Sequence, residues 1–448
     1  MVGGGATGVG VAIDAASRGY DVLLLEQSDF GKGTSSRSTK LVHGGVRYLE
    51  QGNLSLVMEA LRERGLLLRN APHLVRNLGF VVPRYDWWEA PFYGIGLKLY
   101  DLLAGKYGFG ASQILTLEET IEYIPTVELE GLRGGVLYYD GQFDDARLLI
   151  DMVATAFEQG ATLLNYAAVE AVTKDGVVAV DVETGEEFRA TAKVVVNATG
   201  AFSDNLRRQA DPTAAAMIAP SQGIHLVFDG SFLPGVTAIM VPHTSDGRVM
   251  FAIPWHGHTL VGTTDTPVTQ ATLEPVAMDE EVDFLLSTAS RYLAKKPTRA
   301  DVLSVWAGIR PLVRAGDGAN TAALSRDHVV HIDKSGLVTV CGGKWTTYRK
   351  MAEDCVNQAA MLAHLDERVC VTEHLPIRPA EDPGLEMART VEDVLARRTR
   401  TLFLNARKAI EMAPAVAEMM ARELGAGEEW KARQLAEFQA VAANYLLR

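Results

Sequence analysis

The stretch MVGGGATGVGVAIDAASRGYDVLLLEQ, residues 1–27, decides the fold. Gly3, Gly5 and Gly8 form a G-x-G-x-x-G run, followed by a helix pattern rich in small residues, a turn at Gly19-Tyr20-Asp21, an apolar strand at 22–25 and an acid at Glu26. Each position has a physical task. Gly3 permits the tight turn off a first strand, Gly5 lets a pyrophosphate approach the backbone, and Gly8, with Ala12 and Ala16 beyond it, lets the helix pack close to the sheet. The helix start at Ala6 and Thr7 then faces the anion. Glu26, beside Gln27, ends the second strand, where a carboxylate accepts hydrogen bonds from both ribose hydroxyls and disfavours a 2′-phosphate. A glycine-rich turn alone would not carry helix, strand and terminal acid in register, so the reading is a dinucleotide-binding βαβ unit. Only Met1 and Val2 precede Gly3, which leads us to expect a fragment, or a sheet lacking most of its central strand.

The whole chain sets outer bounds. Its 448 residues, 48% hydrophobic and 22% charged, are enough for two or three domains around a sizeable core. A formal net charge of −13 argues against nucleic acid and against general attraction to an anionic membrane, so an anionic substrate needs a local cluster of Arg and Lys. Cys341, Cys355 and Cys370 form no C-x-x-C pair, which points to neither a disulfide framework nor a metal site and fits a reducing cytoplasm. No apolar run reaches membrane-spanning length, and no basic and apolar leader precedes the first glycines.

Along the chain, residues 30–50 form a polar Gly/Ser/Thr segment too long for a plain connection, and such loops usually carry function. Thr34, Ser35 and Ser36 offer hydroxyls to a pyrophosphate or a ribityl chain, and Lys40, Leu41, Gly44 and Gly45 extend the same cofactor surface. His43, Arg47 and Tyr48 add a titratable ring, a cation and a phenol. Asn53 caps a helix at 54–70. From 72 to 140 the pattern is irregular, with Trp87, Trp88, Phe92, Tyr93, Tyr100 and Tyr107 around an apolar stretch, as expected where a substrate-covering domain begins. The stretch reads as core or as a membrane-interface segment. A helix at 144–159 precedes strands at 162–166, 169–174, 177–182 and 188–192, and then an apolar strand runs into Ala198-Thr199-Gly200. With Val169 opening the meander, that strand is a second approach to the nucleotide, and the combination resembles the two-dinucleotide-binding-fold flavoproteins; FAD is expected rather than NAD.

Strands at 224–228, 238–241, 249–254, 259–262 and 302–309, with one helix at 279–293, read as an antiparallel sheet with a face over the flavin. Strands at 328–332 and 337–340 lead back to the nucleotide fold at Gly342-Gly343-Lys344. Trp345, Thr346 and Thr347 follow at the start of a helix running to 362, whose positive end suits an electron-rich flavin. Beyond 376 come a linker and helices at 390–396, 405–424 and 428–447; Arg397, Arg398 and Arg400 read as a solvated face rather than a phosphate or lipid site. The fold class is therefore α/β: a cofactor domain at 1–72, 141–214 and 325–376, a discontinuous antiparallel-sheet cap at 73–140 and 215–324, and a short helical region at 377–448.

Five stretches, LVHGGVRYLE (41–50), VNATGAFSD (196–204), GTTDTP (262–267), WAGIRPL (306–312) and GGKWTTYRKMAE (342–353), resemble the FAD-dependent glycerol-3-phosphate dehydrogenases. The similarity covers roughly residues 1–376 in the family's order. It implies oxidation of sn-glycerol 3-phosphate to dihydroxyacetone phosphate, with electrons passing to FAD and then to a quinone, or to oxygen in the related oxidases. It implies a cytoplasmic enzyme and leaves open peripheral contact with the inner face of the plasma membrane, and a homodimer. Oxidising a secondary alcohol needs a base, an orienting cation and an anchor for a phosphate dianion. His43 or His225 suits the base, and the resemblance places Arg310 near the reacting hydroxyl. Arg47, Tyr48 and Lys344 suit the phosphate or the developing alkoxide, with Arg349 a further cation. The matched stretches add Thr264 and Asp265 to the substrate site and Gly308 to the cofactor site. Another FAD enzyme acting on a 2-hydroxy acid or amine, and a truncated flavin-binding protein without activity, are the alternatives.

Overall fold

Gly3 adopts φ +106°, and a Cβ there would lie 2.6 Å from the Ala198 carbonyl oxygen; at Gly8 it would lie 1.9 Å from the Gly3 oxygen. Neither position tolerates a side chain, and the close approach they permit seats the helix Ala6–Ser17 against a parallel sheet. The computed structural model describes residues 1–45, 53–85, 89–242, 244, 248–314, 327–380 and 386–447, without the side chains of 89–95, 97 and 106. The parallel sheet runs from Thr162–Leu164 through Leu23–Leu25, Val2, Val196–Asn197 and Val338–Gly342 to an antiparallel edge, His328–Ile332. The two residues before Gly3 fill the central place. Val2 bridges both Leu25 and Asn197, and the Met1 ammonium donates to the Leu23 carbonyl at 2.8 Å.

The apolar run before Ala198 forms a ladder only at Val196–Asn197. Buried Asn197 explains the early exit: its side-chain oxygen accepts from the Thr199 hydroxyl at 2.7 Å and its amide donates to the Ser203 carbonyl at 2.9 Å. Those bonds replace a continued ladder with a turn beside the nucleotide side of the sheet.

Among the described residues the second sheet has ten strands, antiparallel except where Thr237–Val241 pairs with Val75–Arg84. Its long members are Ile218–Asp229 paired with Ser304–Val313, and Val75–Arg84 paired with Gly134–Phe143. The last two lie in the segment whose sequence looked irregular. Gly134–Phe143 is buried along nearly its whole length, so it carries no alternation of polar and apolar residues for a reader to find. Leu41–Val42 joins the sheet edge by pairing with Gly141–Gln142. Helices form where their caps predict: Asn53 accepts from the Leu56 N–H ahead of Leu54–Asn70, and Asp144 from the Arg147 N–H ahead of Asp145–Glu158.

Ile224, Leu226 and Phe228 turn one face of the Ile218–Asp229 strand toward Val282 and Leu285 of the helix Asp279–Ala289. The alternate residues face the other way. There Val227 and Trp306 meet Leu395, Phe403 and Ala406 of the C-terminal region, whose helices Ala406–Leu424 and Glu428–Ala442 close that side. The basic cluster in this region is not a solvated face. Arg397 and Arg398 are buried, paired with Asp29, Glu392 and Asp393, and Arg400 reaches Asp144 at 2.9 Å.

Candidate active site

A cavity of about 1050 Å³ runs from the first glycines to the second sheet. At one end lie Gly3, Gly5, Ala6 and Thr7, then Glu26 and Gln27. Gly5, at the start of the first helix, has no side chain to cap it, so the positive helix end faces the cavity. Ser35 joins this cradle, its hydroxyl accepting from the Ala6 N–H at 2.9 Å. Glu26 accepts from the Gly4 and Ser28 N–H groups at 2.6 and 2.9 Å, while burial pushes its carboxyl above the ordinary range. Val169, Ala198, Thr199 and Gly200 form the adjoining wall, and Gly45 and Leu41 line it further along. Gly343, at φ +67°, Lys344, Trp345 and Thr346 enter from the opposite side, with the Trp345 N–H donating to the Ser35 carbonyl at 2.8 Å. Glycine floor, capless helix end and buried acid together fit an extended dinucleotide with an anionic centre.

Several residues expected at the cofactor find partners within the protein. The Thr34 hydroxyl lines the cavity but donates to the Ile309 carbonyl at 2.6 Å, and Ser36 is buried with its hydroxyl on the Gly31 carbonyl at 2.8 Å. Gly44 and Thr347 lie outside the cavity, the first donating its N–H to the Tyr100 hydroxyl and the second held on the Lys344 carbonyl. Gly8 acts through packing alone. Lys40 is also outside: it is fully buried, with its ammonium on Asp145.

The far end is built on the pairing of Ile218–Asp229 with Ser304–Val313. Ser221 stands opposite Arg310, Gly223 opposite Gly308, and His225 opposite Trp306, all on one face by the two-residue period. The facing glycines leave bare backbone between a histidine and an arginine. The Arg310 guanidinium occupies that space, since a Cβ at Gly223 would lie 2.4 Å from its Nη2. It donates to the Thr263 hydroxyl at 3.0 Å and the Thr264 carbonyl at 2.9 Å, and reaches Asp265 at 3.4 Å. Asp265 in turn accepts from the Ser221 hydroxyl. The Thr264 hydroxyl donates to Glu281 at 2.9 Å and accepts from the Ile224 N–H at 3.0 Å. Thr264 and Asp265 thus line the cavity as supports of Arg310 and the sheet.

His225 is stacked on Trp306 at 4.2 Å, and its Nε2 meets the Thr39 hydroxyl at 2.9 Å. Gly262 makes room for the ring, because a Cβ there would lie 2.2 Å from it. Burial first, then the charges of Lys40 and Arg310, hold the imidazole well below its ordinary pKa, so it is neutral at neutral pH. His43 and Lys344 line the same cavity. Arg349 does not: it is buried in ion pairs with Glu63 at 2.7 Å and Glu353 at 2.9 Å, a structural cation rather than a substrate ligand. Arg47 and Tyr48 lie outside the described residues. Reading the sequence alone passed over Thr39, Thr263 and Gly223. The signal for Gly223 was present, as alternating S-x-G-x-H at 221–225 and W-x-G-x-R at 306–310.

Comparison with known proteins agrees with this geometry. A family model described as FAD dependent oxidoreductase matches residues 1–349, and one described as the C-terminal domain of alpha-glycerophosphate oxidase matches 384–433. The mitochondrial glycerol-3-phosphate dehydrogenase of Homo sapiens is 39% identical over 97% of this chain and 71% of its own length. The corresponding Arabidopsis thaliana protein is 46% identical over 84% of this chain and 63% of its own. A solved glycerol-3-phosphate dehydrogenase from Bacillus halodurans, complexed with FAD, superposes with a TM-score of 0.80 at 30% identity, covering 100% of this chain and 94% of that one.

Proposed function

This chain belongs to the FAD-dependent glycerol-3-phosphate dehydrogenase family, and from that premise we propose how its residues oxidise sn-glycerol 3-phosphate to dihydroxyacetone phosphate. When bound, FAD accepts the hydride from C2 of the substrate and holds the electron pair for the next acceptor. Residues 1–72, 141–214 and 325–376 hold the cofactor in this reading, with the pyrophosphate at Gly3, Gly5 and the helix start and a ribose at Glu26. The sheet strands of 73–140 and 215–324 present the substrate.

The chemistry follows from charge. As C2 loses hydride its hydroxyl must lose a proton, and a neutral imidazole accepts one where an imidazolium does not. His225 suits this better than His43, because it shares its sheet face with Gly223, over which the Arg310 guanidinium lies. Arg310 then stabilises the developing alkoxide, and Lys344, with Arg47 and Tyr48, binds the phosphate. The observation that carries the reading is this pair, one neutral base and one cation side by side on bare sheet at the end of a dinucleotide cradle.

A quinone is the proposed electron acceptor. Among the described residues no helix is long and apolar enough to cross a membrane, and the membrane contact proposed with the quinone is a peripheral one. Exposed Leu54, Met58, Leu99 and Leu102, on two helices that pack together through Leu61 and Tyr100, support such a contact. The test is to reduce the purified holoenzyme with glycerol 3-phosphate and mix it with a soluble quinone or with air-saturated buffer. Rapid reoxidation by the quinone without hydrogen peroxide is expected; peroxide formed at the turnover rate would make the protein an oxidase. Glycerol, which lacks the phosphate, should reduce the enzyme poorly.

A further inference from the structure

Lys40 lies outside the cavity yet is tied to its reactive end. The ammonium is fully enclosed, donates to both Asp145 oxygens at 2.8 and 2.9 Å and to the Ser36 carbonyl at 2.7 Å, and sits 4.7 Å from the centre of the Trp306 ring. Trp255 and Phe403 complete an aromatic box, each 5.1 Å from it. A buried ion pair of this kind is often no more stabilising than apolar residues of the same volume, so its placement calls for another reason. The backbone at Lys40 is left-handed, φ 61°, a conformation that side chains rarely adopt and that concentrates at functional sites. Adjacent side chains are thereby divided between two tasks. Thr39 meets His225 Nε2 at 2.9 Å, while Lys40 is lodged against Trp306, the ring on which His225 is stacked. His225 Nδ1, buried, has no hydrogen-bond partner among the described residues.

Among the described residues, few charged groups face His225. From the segment before Leu41 comes Lys40, with its counter-ion Asp145 at the start of the helix Asp145–Glu158. From the paired strand comes Arg310, with Asp265 as its counter-ion. Its other close neighbours, Thr39, Gly262 and Trp306, carry no charge.

We propose that Lys40 is a positioning residue for His225: fixed by Asp145 and lodged against Trp306, it holds Thr39 on Nε2 and the Trp306 ring against the imidazole. A cation so placed also opposes positive charge on the ring, which keeps the resting imidazole ready to accept. The role rests on the reading of His225 as the base, and the test separates the two claims. Histidine-labelled holoenzyme is titrated by NMR, with the His225 signal assigned by its loss in His225→Gln. Lys40→Met is compared with Lys40→Met/Asp145→Asn, in which no buried carboxylate is left unpaired, and with Lys40→Arg. The His225 midpoint should rise by about one pH unit or more, a tenfold change in the neutral fraction, in the first two and stay low in Lys40→Arg. An unmoved midpoint in the folded double variant would overturn the proposal. The acid limb of kcat/KM for glycerol 3-phosphate should move with the NMR midpoint. If the midpoint moves and the limb does not, Lys40 still sets His225, and the base is another group.

Discussion

Arg310 and Arg397 are both cations inside the protein, and their surroundings assign them different work. Arg397 is 1% exposed and meets three carboxylates, Asp29, Glu392 at 2.9 Å and Asp393 at 2.8 Å, with Arg398 adding two further bonds to Asp29. That charge is neutralised within the fold and ties the loop after Glu26 to the C-terminal region. Burial alone would raise the Asp29 carboxyl; Arg398 and Arg397 outweigh it and hold the group below the usual range. Arg310 keeps 24% of its side chain exposed, lines the cavity, and rests on hydroxyl and carbonyl oxygens with Asp265 at 3.4 Å. Its charge is directed where a reacting oxygen can use it. Burial alone does not separate a cation that holds the fold from one that faces a cavity; whether its guanidinium lines the cavity does.

The distinction breaks most sharply on substitution. Arg310→Ala should lower kcat by about 10²–10³-fold, the scale of a lost oxyanion donor, while flavin content and Tm stay at wild-type values. Stopped-flow reduction and thermal melts read the two quantities separately. Arg397→Ala should do the reverse, costing about 3–5 kcal/mol of stability because Asp29, Glu392 and Asp393 are left buried without their cation. A folded Arg397→Ala with an unchanged melt would remove the seam from the stability account.

A smaller effect follows from His225. Its folded pKa is depressed, so below about pH 6.5 the unfolded chain binds a proton that the folded one does not, and stability falls as pH falls, by up to about 1.4 kcal/mol per unit. In His225→Gln that part of the slope should vanish, as measured by urea unfolding between neutral and mildly acid pH. The smallest test concerns the C-terminal region alone. Asn405 accepts from the Lys408 N–H at 3.1 Å to cap Ala406–Leu424, and Asn405→Ala should cost about 1 kcal/mol with turnover unaltered.

The same contrast explains what the sequence disclosed. The glycine run, the cap at Asn53, the helix beginning near Asp144 and the strand carrying His225 were legible because their signals are local, fixed by turns, caps and short periodicities. The matched stretches identified the family, and the structure brings their His43, Arg310 and Lys344 to one cavity with His225. Arg349 and Arg397 misled for a shared reason: besides near partners such as Glu353 and Asp393, each is buried against an acid hundreds of residues away, Glu63 or Asp29, and no spacing announces that second pair. Lys40 sits in a cofactor-like loop, but a left-handed backbone turns it into the core. The strand Gly134–Phe143, and the 80–83 half of its partner Val75–Arg84, were missed because burial on both faces erases alternation.

The central claim is that the Arg310 face oxidises glycerol 3-phosphate while the Arg397 seam only holds the fold. The most direct measurement is the anaerobic visible spectrum of wild type, Arg310→Ala and Arg397→Lys before and after adding glycerol 3-phosphate. The account predicts rapid bleaching of the oxidised flavin band near about 450 nm in wild type and in Arg397→Lys, and slow or absent bleaching in yellow Arg310→Ala. Bleaching of Arg310→Ala at the wild-type rate, or a yellow wild type that does not bleach, would contradict it.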